Sequence, residues 1–554
     1  MNGLRITFHG AAACAIALYV SSLGQSPGSA QEIRTPVAPS TPRVNGPSVF
    51  GVRPGSPFLY KIPATGAGIL QYSVDGLPAG LHVDSSTGLV TGALTTAGDY
   101  TVTLRATNAL GSNEKTFRIK AGGTIALTPP MGWNSWNCYG VTVTAAQVQQ
   151  NAAAMVSSGL VNHGWSYANI DLGWQGSRGG PYNALQGNAK FPDVQAICDS
   201  IHGMGLKAGI YSTPWIQSYA GYAGGSADNP QGTFVPGPGQ QRIGAYTFEP
   251  NDARQWAAWG VDYMKYDWDG IQLPETARME MVLLNCGRDI VYSLSNSTPF
   301  SNISTLSQHA NLWRNNEAPD IIDTWSSMSG NGFGKDKWAP YQRPGHYNDP
   351  DMLVVGRVGW GDAQHATRLT PDEQYTHITL WSLLSAPLLL GCDLTKLDAF
   401  TLNLLTNDEV IAVDQDALCV QATCVSGVGD AKVYAKNLED GSIAVGLFNT
   451  GDMPLTVAAN WADLGLSGPQ MLRDLWRQND LGQFDGRFQV SVAPHGAELF
   501  RISSTVPEPG TFCLLLIAAL GLQGRRWQRR RAKRVMAGRS TIVSPWYRVN
   551  GGCR

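Results

Sequence analysis

The sequence predicts a (β/α)8 barrel flanked by two antiparallel β-sandwiches. Three observations carry this prediction. Between residues 122 and 424, short apolar runs alternate with helical stretches, and about eight such units fit the length. Between residues 44 and 121 the apolar period is two: Tyr100, Val102, Leu104 and Ala106 alternate with Thr101, Thr103, Arg105 and Thr107, the mark of half-buried strands. Between residues 425 and 504 a β pattern returns, with Asp440-Gly441 as a hairpin-type turn. A chain of 554 residues is too long for one ordinary domain.

The elements follow in chain order. Residues 1–30 have the layout of a secretory leader: Arg5, an apolar run from Ala11 to Leu23, then Gly28-Ser29-Ala30. Residues 31–43 are rich in Pro, Ser and Thr and read as a linker. In the barrel region the strand-like runs include Tyr167 to Ile170, Lys207 to Tyr211, Tyr263 to Tyr266 and Ile290 to Leu294. Thr144 with Gln147 forms a capping box. So does Thr370 with Glu373, where Pro371 takes the first helical position. No glycine-rich phosphate loop follows the first strand, which argues against a doubly wound sheet.

Composition narrows the function. Apolar residues make up 43% and charged residues 15%, with 63 Gly and 17 Trp. The net charge of -2 gives no electrostatic case for nucleic acid. No Cys/His spacing suits a zinc site, and no cofactor or metal is expected. Outside the two ends lie Cys138, Cys198, Cys286, Cys392, Cys419 and Cys424. Export permits disulfides, and Cys419 with Cys424 is the best candidate pair.

The segment Tyr263-Met264-Lys265-Tyr266-Asp267 is a strand that runs straight into a carboxylate. Aspartate is a poor strand former, so its place there needs a reason. Period-two alternation brings Lys265 and Asp267 to one face. A cation beside a carboxylate keeps it ionised, as a nucleophile in glycoside hydrolysis must be. A structural ion pair is the competing reading. In a (β/α)8 barrel, catalytic groups sit at the C-terminal strand ends. Those ends here offer Trp136, Asp171, Tyr211, Lys265 with Asp267, Ser295 with Asn296, Arg314 with Asp320, and Asp351 with Met352. Each has a bland reading as core, cap or turn. Together they supply the carboxylates, lysine, amide and indole that sugar hydroxyls require.

These motifs carry a resemblance. Leu127-Thr128-Pro129-Pro130-Met131-Gly132-Trp133-Asn134-Ser135-Trp136, Lys265-Tyr266-Asp267, and Asn348-Asp349-Pro350-Asp351-Met352-Leu353 resemble the family 27 glycoside hydrolases, the melibiase-type α-galactosidases. Arg473-Asp474-Leu475-Trp476 and Val492-Ala493-Pro494-His495-Gly496 match the terminal sandwich of that family. The resemblance implies Asp267 as nucleophile and Asp320 as general acid/base, with Asp323 as competitor for the second role. It implies that Trp136, Asp171, Tyr211, Lys265, Asn296, Arg314, Asp351 and Met352 contact the terminal sugar. Lys265 is expected to lower the pKa of Asp267, and apolar neighbours to raise that of Asp320.

Two departures bear on the sugar. The family typically has adjacent aspartates at the second strand, and here Leu172 takes the second place. At the fifth strand Ser295-Asn296-Ser297 stands where the family governs the position-2 substituent. The expected substrate is a terminal α-galactoside. β-L-arabinopyranosides and α-N-acetylgalactosaminides are alternatives on the same fold, and a surface carbohydrate-binding protein with a degenerate site is the alternative of another class.

Two further resemblances complete the reading. Leu77-Pro78-Ala79-Gly80-Leu81 and Asp84 to Gly92 resemble the Ig-like module of bacterial surface and secreted proteins. In residues 505–534, Val506-Pro507-Glu508-Pro509, an apolar run from Thr511 to Leu522 and Arg525, Arg526, Arg529, Arg530 and Arg531 resemble the PEP-CTERM sorting signal. This implies export, processing by an exosortase-type enzyme and association with the cell envelope. Residues 535–554 form a tail to which no role is assigned.

Overall fold

The computed structural model describes residues 32–315 and 319–504. The leader, the sorting segment and the tail lie outside the described residues. Eight parallel strands form the central sheet: β1 Met131–Asn134, β2 Tyr167–Asn169, β3 Lys207–Ser212, β4 Tyr263–Asp267, β5 Val291–Ser295, β6 Leu312–Arg314, β7 Tyr347–Asp349 and β8 Leu388–Leu390. Sequential neighbours pair, and β8 pairs with β1. A parallel bridge from Leu353, just past β7, to Leu390 joins the remaining gap. The barrel is therefore closed, with no free sheet edge.

Local chemistry sets the elements as expected. Thr144 and Gln147 cap the helix Ala145–Ser157 reciprocally. Thr370 and Glu373 do the same for Pro371–Leu384. That second helix is buried on nearly every face because it lies between barrel and sandwich. Trp476 Nε1 donates to Thr379 Oγ1 at 2.8 Å, and Thr376 Oγ1 donates to the His495 carbonyl at 2.6 Å. The terminal sandwich pairs a six-stranded antiparallel sheet with the hairpin-like pair Leu455–Asn460 and Arg487–Val492. Its sheet begins at Thr423, so the barrel ends slightly earlier than the sequence pattern indicates.

The N-terminal module has a four-stranded and a three-stranded sheet around Val52, Phe58, Ile62, Val102, Leu104 and Phe117. Val102, Leu104 and Ala106 are buried and Thr101 is exposed, as the period of two requires. The module sits against the N-terminal ends of the barrel strands. Phe50, Leu59 and Tyr60 share a cavity lining with Met131, Tyr167 and Lys207. The Lys207 ammonium lies 4.4 Å from the Phe50 ring centre, a cation–π contact. Arg53 Nε donates to Asp289 Oδ1 at 2.5 Å, its Nη2 donates to the Arg288 carbonyl at 2.7 Å, and Ser56 Oγ donates to Asp289 Oδ1 at 2.9 Å. This face of a barrel serves stability, since catalytic groups gather at the other. Arg53→Ala is expected to cost about 2 kcal/mol. It should lower the thermal midpoint in a melt while leaving kcat unchanged.

Residues 32–43 are less free than a linker. Thr35 is buried, its N–H donates to Asn403 Oδ1 at 3.2 Å, and Asn403 Nδ2 donates back to its carbonyl at 2.8 Å. Arg34 pairs with Asp372 at 2.9 Å and lies over the Tyr375 ring. The cysteine expectation is corrected. Cys419 and Cys424 are both free thiols. Cys419 Sγ is taken up by the Leu127 carbonyl at 3.1 Å, and Cys424 Sγ by the Ser426 carbonyl at 3.3 Å. Closeness in sequence did not bring the two sulfurs together. Among the described residues, no helix is long and apolar enough to cross a membrane.

Candidate active site

The C-terminal strand ends bring the expected residues together. Register does much of this: Tyr211 pairs with Lys265, Lys265 with Ser293, Asp267 with Ser295, and Arg314 with Asp349. Gly209 leaves room inside the barrel, where an added Cβ would meet Asn169 Oδ1 at 1.9 Å. Asp171, Tyr211, Lys265, Asp267, Arg314, Asp351 and Met352 are buried. Trp136 and Asn296 are partly buried, and Asp320 is open to solvent.

Two charge clusters face one another. In the first, Lys265 Nζ lies 2.9 Å from Asp171 Oδ2. Asp171 is fixed further by its own N–H, which donates to Ser135 Oγ at 3.0 Å, and by the Leu172 N–H, which donates to Asp171 Oδ1 at 2.7 Å. In the second, Arg314 bridges two carboxylates: Nη1 to Asp320 Oδ1 at 2.7 Å and Nη2 to Asp351 Oδ2 at 2.8 Å. Asp351 holds a left-handed backbone (φ 88°) that only a dense set of contacts makes tolerable. It accepts from the Ile321 and Met352 N–H groups, each at 2.9 Å. Trp136 Nε1 donates to Asp320 Oδ2 at 2.9 Å.

Between the clusters sits Asp267. Its Oδ1 accepts from the Asn296 side-chain amide. Asn296 also has a left-handed backbone (φ 67°), and its amide reaches the Tyr219 hydroxyl at 2.6 Å. The Tyr211 hydroxyl is buried beside Asp267 and Asp171.

The electrostatics correct two sequence expectations. Lys265 forms its ion pair with Asp171, not with Asp267. Burial pushes Asp267 up to about 7, and the Lys265 charge offsets this only in part while Asp171 and Asp320 add to it. Asp320 moves the other way. Its partial burial raises it, but Arg314 and Lys265, with hydrogen bonds from Arg314 and Trp136, outweigh that and hold it below the ordinary carboxyl value. Burial also lifts Asp349, to about 6, with Asp351 adding to it. The Asp323 carboxylate is clamped by Arg368 at 2.6 Å and His365 at 3.2 Å. Burial works against its charged form, but the Arg368 contacts prevail and keep it low. Asp323 is thus held in ion pairs with Arg368 and His365.

Such an arrangement, two carboxyl groups in a polar, aromatic cleft at the top of a barrel, suits acid/base and nucleophilic chemistry on a sugar. Residues 128–234 and 238–416 match the family model described as alpha galactosidase A. The chain belongs to the α-galactosidase family. Residues 428–502 match the α-galactosidase C-terminal β-sandwich domain, residues 41–122 a candidate Ig domain, and residues 505–531 the PEP-CTERM protein-sorting motif. Alpha-galactosidase 2 of Arabidopsis thaliana is 36% identical over 394 residues, covering 70% of this chain and 92% of the relative. A crystal structure of a candidate α-galactosidase/melibiase from Bacteroides fragilis is 31% identical, with a TM-score of 0.76, covering 85% of this chain and 100% of that one. A β-L-arabinopyranosidase from Geobacillus stearothermophilus, solved with arabinose, is 30% identical, with a TM-score of 0.59, covering 69% and 98%. As a member of the α-galactosidase family the chain is a glycoside hydrolase.

Tyr219 escaped the sequence reading. It lies in the long segment after β3, where Gly and Pro leave no period to read, and its reach to Asn296 depends on contact across 77 residues.

Proposed function

We propose that this chain is an exported, retaining α-galactosidase that releases terminal α-linked galactose by double displacement. The observation that carries the reading is Asp267, held by Asn296 between the Lys265–Asp171 and Arg314–Asp351 pairs at the strand ends. Asp267 attacks the anomeric carbon while Asp320 gives its proton to the departing oxygen. Asp320 then takes a proton from the water that frees the sugar from Asp267. The two ion pairs present fixed acceptors and donors to ring hydroxyls, and Tyr211 supplies one more. The sorting motif supports export and processing by an exosortase-type enzyme. The same motif favours secretion or attachment at the cell envelope as the setting of the activity.

A second donor sugar is favoured by one observation. Leu172 is 2% exposed and apolar, at the place where the family typically has a second aspartate. A sugar lacking the hydroxymethyl group, β-L-arabinopyranose, loses less from that change than galactose does. A panel of aryl α-galactoside, α-N-acetylgalactosaminide and β-L-arabinopyranoside tests the donor directly. Leu172→Asp is expected to raise the kcat/KM ratio of α-galactoside to β-L-arabinopyranoside about tenfold, the scale of one sugar hydroxyl contact. An unchanged ratio removes Leu172 from the specificity argument.

A further inference from the structure

We propose that Trp360 is a platform for the leaving group, on which a pyranose ring of an oligosaccharide aglycone stacks. The inference rests on the hydrolase reading above, since it takes Asp320 as the proton donor. Trp360 is 49% exposed, unusual for a tryptophan in a chain that buries most of them. It belongs to the loop after β7, between Arg357–Val358 and His365–Ala366. Its indole meets Trp136 in a T-shaped contact, with ring centres 4.7 Å apart at 61°. Its underside rests on Gly140, where an added Cβ would lie 2.7 Å from the indole.

The loop is pinned in place. The Gly359 N–H donates to the Asn137 carbonyl at 2.7 Å, and Gln364 Nε2 donates to the Cys138 carbonyl at 2.7 Å. The exposed indole therefore costs little conformational entropy to hold out. Trp136, which it touches, donates to Asp320. The Asp320 side chain is itself 44% exposed, and the donor-sugar residues behind it are buried. A carboxyl that protonates the departing oxygen must stand on the side where the aglycone leaves. Trp360 is an exposed aromatic ring on the far side of Trp136 from Asp320. An indole face suits the apolar C–H face of a pyranose.

The test compares leaving groups on one donor. α-Galactosyl fluoride releases a single atom and cannot reach Trp360, whereas melibiose releases a glucose. Trp360→Ala is expected to lower kcat/KM for melibiose about tenfold, the scale of one aromatic stacking contact, and to leave fluoride turnover unchanged. Trp360→Phe should restore most of the loss. Equal losses on both substrates, or no loss on melibiose, overturn the proposal. Equal losses would mean a support for Trp136 or the fold instead. Failure of the wild type on the fluoride overturns the donor reading on which the platform rests.

Discussion

Asp267→Asn is expected to lower kcat/KM on an aryl α-galactoside by about 10⁴-fold or more, as removal of a covalent nucleophile does elsewhere. Asparagine keeps the size and keeps an oxygen to accept from Asn296, so the cleft stays intact. Stability should not fall with activity. Burial lifts the Asp267 carboxyl to about 7, above its unfolded value of roughly 3.9. The native state then holds that proton more tightly than the unfolded chain does. Ionising the group opposes folding increasingly from about pH 4 up to about 7, and the full cost stands above that. A neutral amide carries no such cost. The melting midpoint of Asp267→Asn at pH 8 should equal or exceed that of the wild type. The advantage should fade toward pH 4. Turnover unaffected by the change would sink the assignment of the nucleophile and revive a binding role for the cleft.

Asp320→Ala has the second largest expected effect, and that effect depends on the leaving group. For a sugar leaving group, loss of the proton donor should cost about 10³-fold in kcat/KM. An activated aryl glycoside, which departs unaided, should lose far less in its first step. The pH profile sharpens the test. The reaction requires Asp267 charged and Asp320 protonated, yet the site holds Asp267 above and Asp320 below the ordinary value. The active form is then the minor arrangement of a singly protonated pair. Wild-type kcat/KM should rise as the pair loses its first proton and fall as it loses the second near pH 7. In Asp320→Ala only Asp267 remains to titrate, and one of the charges pushing it up is gone. Activity on the activated aryl glycoside should therefore rise through a midpoint below 7 and stay high. A fall near pH 7 that persists in the variant would place that limb on another group.

The strand-end residues were legible because a barrel imposes a simple rule. An apolar run that ends in a polar side chain aims it at the cleft, and Asp171, Asp267 and Arg314 obey it. The charge balance was not legible. Lys265 and its partner Asp171 are 94 residues apart, so sequence proximity alone pairs the lysine with Asp267. The rise of Asp267 likewise comes from burial by the whole barrel, which no local pattern encodes. Asp320 was read from its apolar neighbours in sequence, but Arg314 and Trp136 decide its state. Trp360 and Tyr219 were missed because they stand in loops without period. The pairing of Cys419 with Cys424 failed for a related reason: five positions of separation say nothing about where two sulfurs point.

The docking of Arg34 and Thr35 bears on how the molecule is made. Arg34 donates to the Ala497 carbonyl at 3.2 Å, across 463 residues of chain, and pairs with Glu498 at 3.5 Å. The segment that follows residues 1–30 out of the ribosome thus completes its berth on a strand made several hundred residues later. Domains along the chain can fold as they appear, and the strap can meet Asp372, Tyr375 and Asn403 as the barrel forms, but its bonds to Ala497 and Glu498 must wait. Its closure comes after synthesis of the final sandwich strand and acts as a late latch. A chain released short of Ala497 would keep the strap's contacts to the barrel and lack only those to the final sandwich strand.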